Sequence, residues 1–237
     1  EAALVVAGNV PGDQVLQKTA RIWGVWVRKD PVPFTFLPPR PPAVREVLLD
    51  DDPQSPAAQF ILGSLCPSRG DTGYGAAKLA GSILQERLTK SLPTALVTVG
   101  LDARRMPGPF YIQAQAAADQ AADQIQQILS AVEAVRGGGV TPDELESAKS
   151  RWILEFRDGV RTPEGTCRAL LDAELYRLGT NYMALFEDLV RRTDTGAVQQ
   201  ASKEWFLPGG VLLSIRGPAA SLRTSLATFG SMREATP

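Results

Sequence analysis

Histidine is absent from this 237-residue chain. Without it no Ser-His-Asp or Cys-His nucleophile can be assembled, and no His-ligated zinc or iron site. Acid–base chemistry near neutral pH is left to a strongly shifted carboxylate, Lys, Cys or Tyr. Cysteine is nearly absent too: Cys66 and Cys167 are the two, with no CxxC. Two cysteines make no disulfide framework, and small buried free thiols are the simpler reading, although pairing in an oxidising compartment stays open. Neither sign of charge dominates, with 25 Lys+Arg against 26 Asp+Glu. That balance argues against a nucleic-acid partner, because phosphate neutralisation needs a basic excess. No apolar run approaches the ~18–20 residues of a membrane span. The N-terminus lacks the basic segment of a signal peptide. Glu1 stands where Met would, so it reads as a processed or trimmed start.

At this length about 70% of the unfolded surface can be buried. That suffices for one large domain, or one domain with part of a second. Ala2 to Ala7 is a short apolar run ending at Gly8 and predicts a buried strand. After the turn at residues 9–13, Val15, Leu16, Thr19, Ile22 and Trp23 recur at helical spacing, closed by Gly24. Prolines 31, 33, 38, 39, 41 and 42 then forbid both helix and ladder pairing. This stretch reads as a semi-rigid extended linker and a domain boundary. The expected organisation is residues 1–30 as the closing strand and helix of a preceding domain, 31–44 as linker, and 45–237 as the main domain.

Within the main domain Glu46 to Asp50 is strand-like. The acidic run Asp50-Asp51-Asp52 reads as a solvated turn, since three adjacent carboxylates lack the spacing of a cation site. Ala57 to Leu65 predicts a second strand. Ala76, Leu79, Ala80, Ile83, Leu84 and Leu88 form one face of a helix over 73–88. Ala95 to Val99 and Pro109 to Ala116 are β-like. A helix with Ile125, Ile128, Val132 and Val135 on its apolar stripe is stopped by Gly137-Gly138-Gly139. Thr141, Pro142 and Glu144 spell a capping box with a favourable first-turn proline. Helices follow near 162–178, 182–192 and 195–205, then a strand over 210–216 and a helix over 220–229. The four tryptophans, Trp23, Trp26, Trp152 and Trp205, are expected to pack in the core. Strand, glycine and helix at 4–24 echo strand, glycine and helix at 212–230, as a repeated unit of about 200 residues would.

These residues resemble the insulinase/pitrilysin-type peptidases, the group that includes mitochondrial processing peptidase. Leu4-Val5-Val6-Ala7-Gly8 with Asn9 to Asp13 is similar to the end of their first domain. Ser55 to Gly63 resembles the second strand of their second domain. Leu79 to Leu88, ending in Arg87-Leu88, resembles a helix of that domain. Gly139 to Lys149, Tyr176-Arg177-Leu178-Gly179 and Trp205 to Gly209 fit later positions in order. The resemblance covers nearly the whole chain and rests on the order and spacing of motifs that are each weak alone. It implies an α/β (α+β) two-layer sandwich, with helices packed on one face of a mixed, largely antiparallel sheet.

The family's zinc site is an H-x-x-E-H helix in its first half, which this chain lacks. The resemblance therefore implies no catalytic residue, no metal ligand and no cofactor here, with zinc only in an N-terminal half or a zinc-bearing partner subunit. Many members supply from the second half an Arg and, seven residues later, a Tyr that contact the substrate carbonyl. Pro93 falls at the Arg position, and no Tyr follows until Tyr111. Arg104 and Arg105 in the next loop are the substitute substrate-contact candidates, beside the plainer reading of a solvated loop.

The leading expectation is a non-catalytic C-terminal domain that forms one wall of a peptide-binding chamber, holding peptide by strand addition to a sheet edge. Its partners would be peptide and its own upstream half or a zinc-bearing subunit. Bacterial relatives of this kind are often envelope proteins, which points to the periplasm. The alternative is a structural or assembly scaffold on the same fold. A third class, an unrelated carboxylate enzyme, would draw on Asp143, Glu144, Glu146 or Glu164, but these lie at helix starts, where acids serve the helix dipole and cap. If residues 31–42 are a linker, limited proteolysis of the chain will cut there first; first cuts within 121–156 would contradict the domain organisation.

Overall fold

The computed structural model describes residues 3–26, 37, 39–93 and 95–235. The first described element is α1 (Gly12–Trp23). The main body then runs β1 (Glu46–Asp51), β2 (Ala57–Leu65), α2 (Tyr74–Ser91), β3 (Thr98–Leu101), β4 (Pro109–Ala117), α3 (Ala121–Arg136) and α4 (Pro142–Gly159). It continues through α5 (Pro163–Leu175), α6 (Tyr182–Arg192), α7 (Thr195–Trp205), β5 (Leu212–Gly217), α8 (Ala219–Leu226) and β6 (Ser231–Glu234). The strands form one sheet in the order β3-β4-β2-β5-β1-β6. The β3–β4, β4–β2 and β2–β5 pairs are antiparallel, and β5–β1 and β1–β6 are parallel. This is the expected mixed, largely antiparallel sheet.

Side chains of successive strand residues point to opposite faces, and here one face takes the core. Val47, Leu49, Ala58, Phe60, Leu62, Phe110, Ile112, Leu213 and Ile215 are all buried. Leu79, Ile83, Leu84 and Leu88 of α2 and Ile125, Ile128 and Val132 of α3 join them in one cluster. The Phe110 and Phe206 rings stack with centroids 4.1 Å apart, which ties β4 to the exit of α7. A smaller cluster, Ile153, Tyr182, Phe186 and Val190 with Trp152 and Phe156, joins α4 to α6.

The chain's last third completes the centre of the sheet. β5 lies between β1 and β2, and pairs with both. The acidic run secures this joint. Asp51 accepts a hydrogen bond from the Ala219 N–H at the start of α8 (2.9 Å), and Arg216 of β5 faces Asp50 at 3.6 Å and Asp52 at 3.3 Å.

Four differences from expectation have physical causes. Residues 3–7 form no strand; Leu4 and Val6 are about half exposed, and none of the six sheet strands pairs with this run. Trp23 and Trp26 are exposed at 45% and 76%, because α1 buries no residue against the described structure. Trp152 and Trp205 do pack against the core. β3 starts at Thr98, not Ala95, and β6 was not expected at all. Ser231-Met232-Arg233-Glu234 has one partly buried apolar side chain and therefore no strand-like alternation; its pairing with β1 supplies what the pattern lacks. Half of the proposed linker, residues 31–36 and 38, falls outside the described residues.

The capping box at α4 forms as read: Thr141 and Glu144 bond reciprocally. Arg87 of α2 grips the same carboxylate with two hydrogen bonds of 2.8 Å. That grip, followed by bonds from Thr141, holds the Glu144 carboxyl at about 2, below its ordinary 4.5. A depressed carboxylate contributes its stability fully above the ordinary pKa and loses it as pH falls through the folded value. Glu144→Gln is therefore expected to cost about 1–2 kcal/mol at pH 7, allowing for solvent screening of a partly exposed pair. The gap from the wild type should shrink by pH 3, as read by urea unfolding at both pH values. Phe110→Ala, which empties a fully buried stacked site, should cost about 3–5 kcal/mol in the same assay.

Candidate functional site

Because every buried strand side chain points toward the helices, the other face of the sheet lies bare. Ile61 of β2 is 42% exposed and Leu212 of β5 is 37% exposed. With Gly63, Leu65, Tyr111 and Ser214 they floor a shallow cavity of about 360 Å³, overhung by Arg40 and Pro42. Exposed apolar side chains gathered on one sheet face mark a surface suited to contact with another chain.

The free edge of β3 borders this face. A strand edge offers alternate N–H and C=O groups to a partner. On β3 the Val97 carbonyl and the Val99 N–H point outward, and the Gln85 side chain of α2 meets both. Its Nε2 donates to the Val97 carbonyl (2.9 Å), and its Oε1 accepts from the Val99 N–H (2.7 Å). One side-chain amide thus stands in for the peptide group of a neighbouring strand. Beyond it a groove of about 580 Å³ runs between β3, α2 and α4, with Lys78, Ser82, Asp102, Arg151 and Glu155 among its walls. Arg151 is tied to Glu86 at 2.7 Å. That bond, after the one from Lys90, holds the Glu86 carboxyl below its ordinary range.

Gly100 and Tyr111 are direct cross-strand partners. A Cβ at position 100 would fall within the Tyr111 ring. The phenol over this part of the edge thus comes from the neighbouring strand β4. Tyr111 lines both the groove and the bare-face cavity. The sequence alone marks Tyr111 only as the first tyrosine after Pro93, with no role, and gives Gln85 no signal. The Gly100–Tyr111 register is a tertiary fact with no local signal.

Arg104 and Arg105 are both exposed on the β3–β4 loop. Arg104 is held by Asp102 through bonds of 2.9 and 2.8 Å, and this pairing keeps the Asp102 carboxyl below its ordinary range. Neither arginine is among the walls of the groove or the bare-face cavity. Three of the four helix-start carboxylates have structural partners. Glu144 belongs to the cap and Arg87, Glu146 pairs with Lys149 at 2.7 Å, and Glu164 lies 3.9 Å from Arg168. Asp143 sits in the first turn of α4. Cys66 is buried and Cys167 half-buried, and both are free; burial pushes the Cys66 thiol up.

The edge geometry yields a direct expectation. Gln85→Ala removes both hydrogen bonds, so the Val99 amide should exchange with solvent at least tenfold faster, while amides of the β2–β4 ladder keep their protection. Unchanged Val99 exchange would show that the amide does not cap this edge.

Residues 1–151 match the sequence profile of the family described as the peptidase M16 inactive domain. No curated protein matches the chain. Among solved structures, a peptidase M16 inactive domain from Pseudomonas fluorescens is similar with a TM-score of 0.77 and 18% identity, covering 89% of this chain and 52% of that one. A protease from Helicobacter pylori is similar at 0.74 and 14% identity, covering 90% and 54%. The periplasmic protease PqqL from Escherichia coli is similar at 0.72 and 13% identity, covering 89% and 24%. The chain thus spans about half the length of the first two and a quarter of the third. At these identities the likeness establishes the fold.

Proposed function

The chain belongs to the peptidase M16 inactive-domain family, and from that premise we propose that it is the non-catalytic C-terminal half of an insulinase-type zinc peptidase, or of that enzyme's inactive partner subunit. In this reading the domain forms one wall of a peptide-holding chamber. The observation that carries it is the one-sided sheet, with helices on one face and Ile61 and Leu212 exposed on the other. An apolar, concave-lipped face beside a strand edge fits extended peptide, which binds through backbone bonds with side chains in shallow pockets.

The family's zinc motif has no donor set here. The chain contains no histidine, and among the described residues no three Cys, Asp or Glu side chains are placed to hold a metal ion. The residues of this chain do not fit that metal site; in this reading its contribution is to hold peptide. A zinc-bearing half or subunit would supply the hydrolysis. Arg105, exposed and without an ion pair among the described residues, and Arg104, tied to Asp102, would be rim contacts. The exposed Leu16, Ile22 and Trp23 of α1 suit a helix that completes a preceding domain. A periplasmic location follows the same reading; no helix of the described residues is long and apolar enough to cross a membrane.

The 237-residue chain should bind an extended, fluorescently labelled peptide with micromolar to millimolar affinity and leave it uncleaved, with no stoichiometric zinc by elemental analysis. Ile61→Asp, on the bare face, should weaken binding about tenfold or more without lowering the melting temperature. Equal binding by wild type and Ile61→Asp would sink the chamber-wall reading, and failure of the wild type to bind any peptide would favour the scaffold alternative.

A further inference from the structure

A second cavity lies away from the bare face, where the β2–α2 loop meets α4 and α6. Its volume is about 420 Å³, within the about 300–1,000 Å³ typical of small-molecule sites. One side is apolar: Trp152, Phe186, Leu178 and Leu189. The other carries Arg69 and Arg177. Arg69 is half-buried, its guanidinium 4.2 Å from the Tyr74 ring centroid and 5.6 Å from that of Tyr182. Its Nη2 donates to the Tyr182 hydroxyl at 2.8 Å. Neither arginine has an ion pair among the described residues. The one carboxylate in the lining, Asp71, spends an oxygen on the Gly73 N–H at 2.7 Å. The walls thus carry two cations against one engaged anion.

Arg177 adds an independent observation. It sits at the end of α5 with φ of 56°, the left-handed position where helices usually place glycine. The Leu178 N–H reaches back to the Ala173 carbonyl at 2.9 Å, so the turn is a regular helix stop that Gly would serve with less strain. The side chain carried at that cost is one that lines the cavity.

We propose that this cavity binds the C-terminal residue of a peptide, with the terminal carboxylate on Arg69 and Arg177 and an apolar side chain against Trp152 and Phe186. Arginine suits this role because its planar fork matches a carboxylate and its face stacks on aromatic rings. The proposal rests on the peptide-holding reading for the source of its ligand, and it gives that reading a second, end-specific anchor.

The test uses the intact chain with acetyl-Ala-Ala-Phe bearing a free carboxylate, the same peptide as its C-terminal amide, and 4-phenylbutyrate, each titrated by calorimetry. The acid should bind at least tenfold more tightly than the amide. Arg69→Met and Arg177→Gln should each weaken the acid at least fivefold and leave the amide unchanged. Arg177 is exposed, so its replacement keeps the test alive if Arg69→Met fails to fold. Equal binding of acid and amide, or no binding of either, overturns the proposal. Phenylbutyrate binding as tightly as the acid peptide would assign the cavity to free apolar acids and overturn the peptide. The chamber-wall reading is judged separately by Ile61→Asp on the bare face, so the two can fail independently.

Discussion

The fold depends on β5 being inserted between β1 and β2. Those two strands are separated by a five-residue turn in the chain, yet they do not pair with each other. β5 arrives after α2 through α7 have been threaded, and its backbone satisfies both neighbours at once, parallel to β1 and antiparallel to β2. Unpaired backbone groups inside a sheet are costly, so neither half of the sheet is complete until the last third of the chain is in place. Leu213 and Ile215 bring their side chains to the core from this strand, at 3% and 1% exposure. Non-local pairing of this kind carries a large loop-closure cost before any reward, which marks slow-folding topologies.

The same arrangement decides what is left for function. All core-facing strand side chains share one face, so among the described residues α2, α3, α4, α7 and α8 gather over that face and the opposite face stays bare, with α1 contributing nothing to that core. The bare face ends at β3, a four-residue edge strand. Short edges and side-chain caps are the usual protections against unwanted strand pairing, and Gln85 is such a cap. Its position on α2 follows from helix geometry: Lys78, Ser82 and Gln85 lie on one face at spacings of four and three, and that face borders the groove.

The legible parts of the sequence were those with a local cause. The Thr141-Pro142-Asp143-Glu144 start of α4 forms its capping box within four residues, so the pattern alone declared it. The alternation in Ala57 to Leu65 reads directly as one buried and one open face, and β2 shows it. β6 was invisible because its four residues carry a single partly buried apolar side chain and exist as a strand through pairing with β1. Arg69 drew no notice in the sequence, since a lone arginine in a polar loop has no pattern. Its meaning comes from Tyr74, five residues on, and Tyr182, which is 113 residues away.

The order and spacing of weak motifs carried the resemblance to a peptidase family, and zero histidine excluded that family's histidine metal ligands from this chain, because composition limits chemistry whatever the fold. Helix starts, stops and apolar faces were likewise written locally, since caps and 3.6-residue periodicity act over a few residues. The tertiary structure alone decided which side chains meet. Tyr111 covers Gly100 because strand register sets them opposite one another, Gln85 seals β3 because α2 crosses beside it, and Arg69 and Arg177 share a cavity because the β2–α2 loop and the end of α5 converge. Each of these depends on contacts between residues far apart in sequence, and the free energy that selects them is burial of the common core.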